Sequence, residues 1–195
     1  MDIKNLPISA NKDFPEVIIE KENKRWAGII QNLYAGCDSE TSGILQYVYQ
    51  SYVTRPMEED IADIFEKIAM VEMTHHEKLG NLIVKLGGNP YYVNSRNMPF
   101  RISCIKPIRN LKEMLKVDIK DEEEGIVSYE KAISEIRTRY SNQNGAELRN
   151  NYINSAINSQ GEQAQSNLET KIEESITNSK KSRKEYLDSL SGTAE

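Results

Sequence analysis

Residues 71–80 read Val-Glu-Met-Thr-His-His-Glu-Lys-Leu-Gly, and the spacing within this stretch decides the fold. Glu72 and His75 lie three residues apart, so an α-helix presents both side chains on the same face. That face is otherwise hydrophobic at helical spacing, running Ile61, Phe65, Ile68, Glu72, His75, Leu79, Leu82 and Leu86. A carboxylate inside such a face is costly unless another group balances its charge. The stretch therefore predicts a buried helix that carries a charge-balanced polar site.

Two further helical stripes each carry one glutamate where a hydrophobic residue is expected. The first runs Ile30, Leu33, Cys37, Glu40, Ile44, Tyr47 and Ser51. The other runs Leu115, Ile119, Glu122, Ile126, Tyr129, Ile133, Ile136 and Tyr140. Both step by alternating threes and fours, which is the periodicity of a packed helix. Acids from three helices that converge on one core, together with a histidine, predict a metal site.

Two turn signals and one long connection organise these stripes into a bundle. Pro56 separates the first two stripes, and Asn142-Gln143-Asn144-Gly145 is a second turn signal. Between them, residues 89–107 contain Pro90, Pro99 and Pro107, and a long connection is needed to cross a helix about 45 Å long. We predict helices over about residues 22–54, 57–87, 108–141 and 146–177. This connectivity is that of an all-α, ferritin-like four-helix bundle, with two antiparallel helical hairpins joined by a long crossover.

The bundle is expected to form a single domain over residues 1–195, because a chain of this length supports one sizeable core. Pro7 and Pro15 interrupt the N-terminal arm, about residues 1–20, which is predicted to be irregular. The bundle then spans about residues 22–177, and a polar tail covers about residues 178–195.

The turns place the acids at one height in the bundle. Folding at the first turn puts Glu40 opposite Glu72, and folding at the second puts Glu122 opposite Glu162. The dimetal sites of ferritin-like bundles take one Glu from each of two helices and a Glu-x-x-His from each of the other two. The predicted metal ligands are therefore Glu40, Glu72, His75, Glu122 and Glu162.

Charge and ligand chemistry indicate the kind of metal. Four ionised carboxylates carry four negative charges, which two divalent cations cancel. Oxygen ligands with one imidazole nitrogen favour iron or manganese. Gln165 follows Glu162 by three residues, where the dimetal pattern has its second histidine, so a single bound ion stays an alternative to two. Gln165, His76 and Tyr129 are expected to surround the ligands rather than bind metal themselves.

The composition indicates which classes of partner and which cellular location to expect. The net charge of −5 argues against binding to a phosphate backbone, so no nucleic-acid partner is expected. No stretch reads as a membrane span or a signal peptide, and the expected location is the cytoplasm. Cys37 and Cys104 show no metal-binding spacing and no sign of a disulfide framework. Cys37 is interpreted as a small buried hydrophobic residue, with a redox thiol as the alternative.

At these residues the sequence resembles the ferritin-like superfamily, and within it the rubrerythrin-type, bacterioferritin-like and manganese-catalase-like bundles. The resemblance rests on residues 39–47, 71–80, 85–90 and 118–133, and it covers about residues 25–135. It implies an iron or manganese dimetal centre that performs redox chemistry with oxygen or peroxide. As an enzyme, the protein would be an oxidoreductase of the ferroxidase, peroxidase or catalase type. Such bundles often pair, so a homodimer is plausible.

Two other interpretations of the same residues stay open. Gln165 and the polar start of the last predicted helix fit a non-enzymatic structural or assembly bundle with a degenerate or single-metal site. The inward acids also fit a helical partner-binding module, whose function would be unharmed by apolar residues in place of Glu72 and His75. For Glu40 and Glu122, the alternative to metal binding is pairing with an arginine or a tyrosine. The number of metal ions bound per chain distinguishes the dimetal centre from the non-enzymatic bundle.

Overall fold

The part of the chain that the computed structural model describes is mostly helical, which confirms the predicted all-α class. It comprises residues 21–151, with side chains as far as residue 138, together with residues 8, 14, 17–19, 181, 184, 185, 187 and 188. Its elements are α1 (Lys24–Ala35), α2 (Glu40–Thr54), α3 (Glu59–Lys85), a 3₁₀ turn (Ile102–Cys104) and α4 (Leu111–Asn151). Among these helices, none combines the length and apolar character that a membrane span requires.

The predicted single first helix is wrong, because residues 36–39 interrupt it and divide it into α1 and α2. Ser39 caps α2: its backbone N–H donates to Ser42 Oγ at 3.0 Å, and its hydroxyl accepts from the backbone N–H of Ser42. Thr41 donates to the carbonyl of Tyr34 at 2.6 Å, which satisfies an acceptor in the last turn of α1. These local bonds end one helix and start the next, although the apolar stripe continues across the break.

The α2–α3 hairpin agrees with the prediction. Pro56 lies in the short turn between the two helices, and α3 ends at Lys85, close to the predicted end at residue 87. Gly87 has a φ of +77°, and its N–H donates to the carbonyl of Val84 at 2.9 Å. Because glycine adopts that backbone conformation without steric cost, Gly87 is well suited to end the helix.

The long crossover between α3 and α4 is irregular apart from the 3₁₀ turn, as predicted. Buried glutamine side chains on α1 and α2 bind its backbone. Gln31 Nε2 donates to the carbonyl of Tyr91 at 2.5 Å. The Gln46 amide accepts from the backbone N–H of Lys106 at 2.7 Å and donates to its carbonyl at 3.1 Å. Because these bonds are made by buried groups, they fix the path of the crossover over the bundle.

The predicted turn at residues 142–145 is wrong, because α4 continues through it to Asn151. Asn and Gln are only mildly unfavourable in a helix, and one glycine costs about 1 kcal/mol relative to alanine, so Gly145 does not end the helix by itself. The predicted fourth helix over residues 146–177 overlaps α4 at its start, and its remainder lies outside the described residues, as do Glu162 and Gln165.

Two buried apolar clusters form the core of the described part. Cluster A consists of Ala27, Ile29, Ile30, Leu33, Tyr34, Ala35, Leu79, Ile83, Leu86, Tyr129 and Ala132. Cluster B consists of Tyr47, Ile64, Phe65, Ile68, Ala69, Met114, Leu115 and Leu187, the last of these from the predicted polar tail. Along α3, members of cluster B precede Glu72 and members of cluster A follow His75. The acid and the histidine therefore lie between two apolar layers.

Candidate metal centre

Three of the predicted ligands meet in the interior: Glu40 at the start of α2, and Glu72 and His75 in the middle of α3. Each is at most 2% exposed, and each offers one ligand atom within 4.8 Å of the other two. His75 Nδ1 lies 3.2 Å from Glu72 Oε2 and 3.6 Å from Glu40 Oε2. One imidazole nitrogen thus faces two carboxylate oxygens at the centre of the group.

The break between α1 and α2 positions Glu40. As the first residue of α2, its carboxylate lies at the positive end of the helix dipole, which stabilises a negative charge there. Tyr129 on α4 donates its hydroxyl to Glu40 Oε1 at 2.5 Å. Burial, and then the nearby charge of Glu40, raise the pKa of Tyr129 well above its usual value, so the phenol stays protonated and acts as a donor.

Glu122 on α4 faces the same interior space but does not belong to the group of three. It is 4% exposed, and its Oε1 accepts a hydrogen bond from the Tyr47 hydroxyl at 3.0 Å. Tyr129 also feels the charge of Glu122, which places that carboxylate near the Tyr129–Glu40 pair. The structure therefore brings Glu122 to the site while leaving it separate from the closest group.

A cavity of about 210 Å³ connects these side chains. Its walls come from α2, α3, α4 and the end of the crossover, and they include Glu40, Gly43, Tyr47, Glu72, Lys106, Asp118, Asp121, Glu122 and Tyr129. A Cβ atom on Gly43 would lie 3.4 Å from Glu72 Cγ, so glycine leaves room for that carboxylate against α2. The ion pair between Lys106 Nζ and Asp121 Oδ1 is partly exposed. The cavity thus joins the buried acids to a charged pair that solvent reaches.

The donor set fits a metal ion that prefers oxygen ligands. Two carboxylates and one imidazole lie close enough to share an ion, and all three are shielded from water. Oxygen ligands with one nitrogen suit manganese or iron. His75 Nδ1 is the ring nitrogen that faces the carboxylates, and the buried Nε2 has no hydrogen-bond partner among the described residues.

The sequence analysis did not predict that Asp118 lines the cavity. This residue lies on α4 one turn before Glu122 and is 1% exposed. Gln50 Nε2 donates to Asp118 Oδ1 at 2.7 Å, while Asp118 Oδ2 and Gln50 Oε1 are buried without partners in the part of the chain that the structure describes. Burial raises the pKa of Asp118 well above its usual value, with smaller contributions from nearby carboxylates. The signal in the sequence was the four-residue spacing from Glu122, which places both acids on one helix face.

The interpretation of the cysteines is wrong, because Cys37 and Cys104 form a disulfide across a sequence separation of 67 residues. Cys37 lies in the break before α2, and it is exposed rather than buried. Cys104 ends the 3₁₀ turn of the crossover. Helical periodicity does not report the path of a crossover, so the sequence held no signal for this pairing.

His76 contacts aromatic rings. Its ring stacks on Tyr34 with centroids 4.0 Å apart and lies 5.7 Å from Tyr92. Burial lowers the pKa of His76, against a smaller opposite effect from the charge of Glu40. His76 therefore packs against Tyr34 and Tyr92 on the side of α3 next to the site.

Comparison with known proteins places the chain in a family. The rubrerythrin family matches residues 31–142, which is more than half of the chain. A probable manganese catalase from Clostridium acetobutylicum is 24% identical over 136 residues, and the match covers 59% of this chain and 60% of that protein. The chain thus spans about three fifths of the length of this relative.

Solved structures share the fold at low sequence identity. A manganese catalase from Anabaena aligns with a TM-score of 0.63 at 20% identity, covering 94% of this chain and 79% of that one. The bacterioferritin of Desulfovibrio desulfuricans aligns with a TM-score of 0.59 at 20% identity, covering 87% and 82%. These likenesses confirm the ferritin-like fold, and with the match over residues 31–142 they lead to one assignment. The chain belongs to the rubrerythrin family of the ferritin-like superfamily.

Proposed function

We propose that this protein binds two divalent iron or manganese ions between its helices and uses them for redox chemistry with peroxide or oxygen. The observation that carries the proposal is the buried group of Glu40, Glu72 and His75, whose ligand atoms lie within 4.8 Å of one another. Buried carboxylates are tolerated when cations balance their charge. Ions of either metal supply the electron exchange that protein side chains alone do not provide.

The ligands are assigned to two subsites. Glu40, Glu72 and His75 would hold one ion, and Glu122 with Glu162 would serve the other. The cavity that Glu122 shares with Glu40 and Glu72 supports this arrangement. Glu162 rests on the sequence pattern, because it lies outside the described residues.

The surrounding residues orient the ligands and control access. Tyr129 and Tyr47 donate hydrogen bonds to Glu40 and Glu122, which orients each carboxylate. Cluster A and cluster B exclude bulk water from both sides. A small reactant enters past the partly exposed Lys106–Asp121 pair, which lines the same cavity.

The similar proteins support this choice of chemistry. Two of them are manganese catalases, one named as probable, and the bacterioferritin structure is described by its diiron site. Manganese or iron, with peroxide or oxygen as the reactant, therefore agrees with both the donor set and the relatives.

Metal analysis with a peroxide assay tests the proposal. Protein purified without added metal is expected to contain about two equivalents of manganese or iron and to consume hydrogen peroxide. Glu72→Gln should lose metal and turnover together, because it removes a ligand charge from the centre. Glu77→Gln changes an exposed glutamate on the same helix and should retain both. Metal content that is unaffected by Glu72→Gln would refute the ligand assignment.

A non-enzymatic bundle with a single-metal or degenerate site is the second candidate. It is favoured by the separation of Glu122 from the three residues that group most closely within the described part of the chain. One equivalent of metal or none, without turnover of peroxide, would support this candidate instead.

A further inference from the structure

The disulfide between Cys37 and Cys104 lies on the wall of the carboxylate cavity. Both residues line the cavity that Glu40, Glu72 and Glu122 also line. Cys37 precedes Glu40 by three residues, and the segment that carries it is the break from which α2 starts. The disulfide and the three carboxylates therefore face the same cavity.

One of the two cysteines, Cys37, is open to reductants from outside. Cys37 is exposed, and Cys37 and Cys104 also line a second small cavity, of about 50 Å³, with Asn94, Phe100 and Arg101. A disulfide is reduced by attack of a thiolate on one of its sulfurs, so an exposed sulfur is the one that exchanges. The pair is thus placed between the interior site and the surface.

Reduction does not release the two segments from each other. Gln46 binds both backbone groups of Lys106, two residues after Cys104, and Lys106 pairs with Asp121 on α4. On the other side, Ser42 donates a hydrogen bond to the carbonyl of Cys37. These contacts keep both thiols near each other, so the disulfide can form again without a search through open conformations.

We propose that Cys37 and Cys104 are the electron-donating pair for peroxide reduction at the carboxylate centre. In one turnover, two thiols and one hydrogen peroxide give the disulfide and two molecules of water. The O–O bond breaks and the S–S bond forms; the sulfurs lose two electrons and two protons, and the peroxide oxygens gain them. A small or protein dithiol then reduces the disulfide and is itself oxidised. This proposal rests on the proposed metal centre, and it makes the protein a thiol-dependent peroxidase.

The test follows the two thiols directly. The protein is reduced with a phosphine, which is then removed, and it is loaded with Mn²⁺ in the absence of oxygen. Circular dichroism checks the fold and elemental analysis checks the metal content. One equivalent of hydrogen peroxide is then added. Free thiols are counted by reaction with a chromogenic disulfide and by mass spectrometry. We expect the loss of both thiols per chain in the loaded protein. We expect both thiols to be retained over the same time in chelated protein. Glu72→Gln, taken through the same loading step but expected to bind no metal, should also retain them, whereas Glu77→Gln should behave like wild type.

The outcomes separate the two proposals. If thiols disappear equally fast with and without metal, they react with peroxide directly and the inference is overturned. Peroxide consumption with both thiols retained overturns it as well, and the metal centre then stands alone. Absence of bound metal in the wild type is seen before peroxide is added, and it overturns both proposals. As a second measurement, oxidised wild type should catalyse peroxide-dependent oxidation of dithiothreitol, and Cys37→Ser/Cys104→Ser should not.

Discussion

Removal of the Cys37–Cys104 disulfide should destabilise the protein strongly. The bridge joins residues that are 67 positions apart in sequence. The loop that it closes contains α2, α3 and the crossover as far as Cys104. In the chain-entropy description, a closed loop of this size removes about 4 kcal/mol of conformational freedom from the unfolded state at room temperature. Cys37→Ser/Cys104→Ser should therefore unfold with a free energy lower by about 4 kcal/mol.

Urea denaturation measures this change. The midpoint should fall, and for a protein of this size the melting temperature should fall by roughly 8–16 °C. Reduced wild type and the double variant should agree, because both lack the bridge and serine differs from a free cysteine in a single atom at exposed Cys37 and half-buried Cys104. Ser103→Ala, at an exposed residue beside Cys104, is a matched control and should unfold like wild type.

A loss below about 1 kcal/mol would contradict this reasoning, because it would mean that the unfolded chain is already restricted without the bridge. Two reactive thiols per chain in native protein under non-reducing conditions would contradict it more directly. Either result would also weaken the view that the bridge connects α2 to the crossover in the folded state.

Three further changes have expected outcomes. A chelator should lower the melting temperature of the metal-loaded protein at neutral pH, and less at mildly acidic pH, where protons replace the metal; scanning calorimetry measures both. In chelated protein, the raised pKa of Asp118 means that its carboxyl group stays protonated in the folded state at pH values where it is ionised in the unfolded state. The contribution of Asp118 to stability is therefore full below its unfolded pKa and is lost as pH rises towards its folded pKa. The unfolding free energy of wild type should therefore fall by about 1.4 kcal/mol per pH unit as pH rises between these two pKa values. Asp118→Asn should show a smaller fall and should be more stable than wild type at neutral pH. Urea titrations at several pH values measure this, and an equal dependence of unfolding free energy on pH in both proteins would refute it. Gln46→Ala removes both hydrogen bonds to the Lys106 backbone and should cost about 2 kcal/mol in the same assay, with an unchanged value as the contrary result.

The sequence identified the centre of the site because helix geometry is rigid. A spacing of three residues on one helix determines that Glu72 and His75 share a face, and the apolar residues around them determine that the face is buried. The same reasoning brought Glu40 and Glu122 into the interior, where the structure has them. Tyr129 was expected near the ligands, and it donates its hydroxyl to Glu40.

Periodicity was insufficient where a local or distant contact decides the structure. The break at residues 36–39 depends on a capping arrangement of two serines, while the apolar stripe continues across it. The disulfide depends on where the crossover returns to α2, which no local pattern records. Asp118 was overlooked because one carboxylate per stripe already accounted for the expected site, and its partner Gln50 comes from another helix.

The arrangement of the core explains how the protein tolerates so many buried acids. Cluster A and cluster B bury apolar residues on both sides of the polar layer, and they supply stability that does not depend on the acids. The polar layer itself weakens the fold, since hydrophobic residues of similar volume often replace buried charges at no cost. Tyr47, Tyr129 and Gln50 each donate to one carboxylate, which lowers the cost without removing it. Such a layer between two apolar clusters is consistent with the proposed metal centre, because a bound cation would offset the cost of the buried charges.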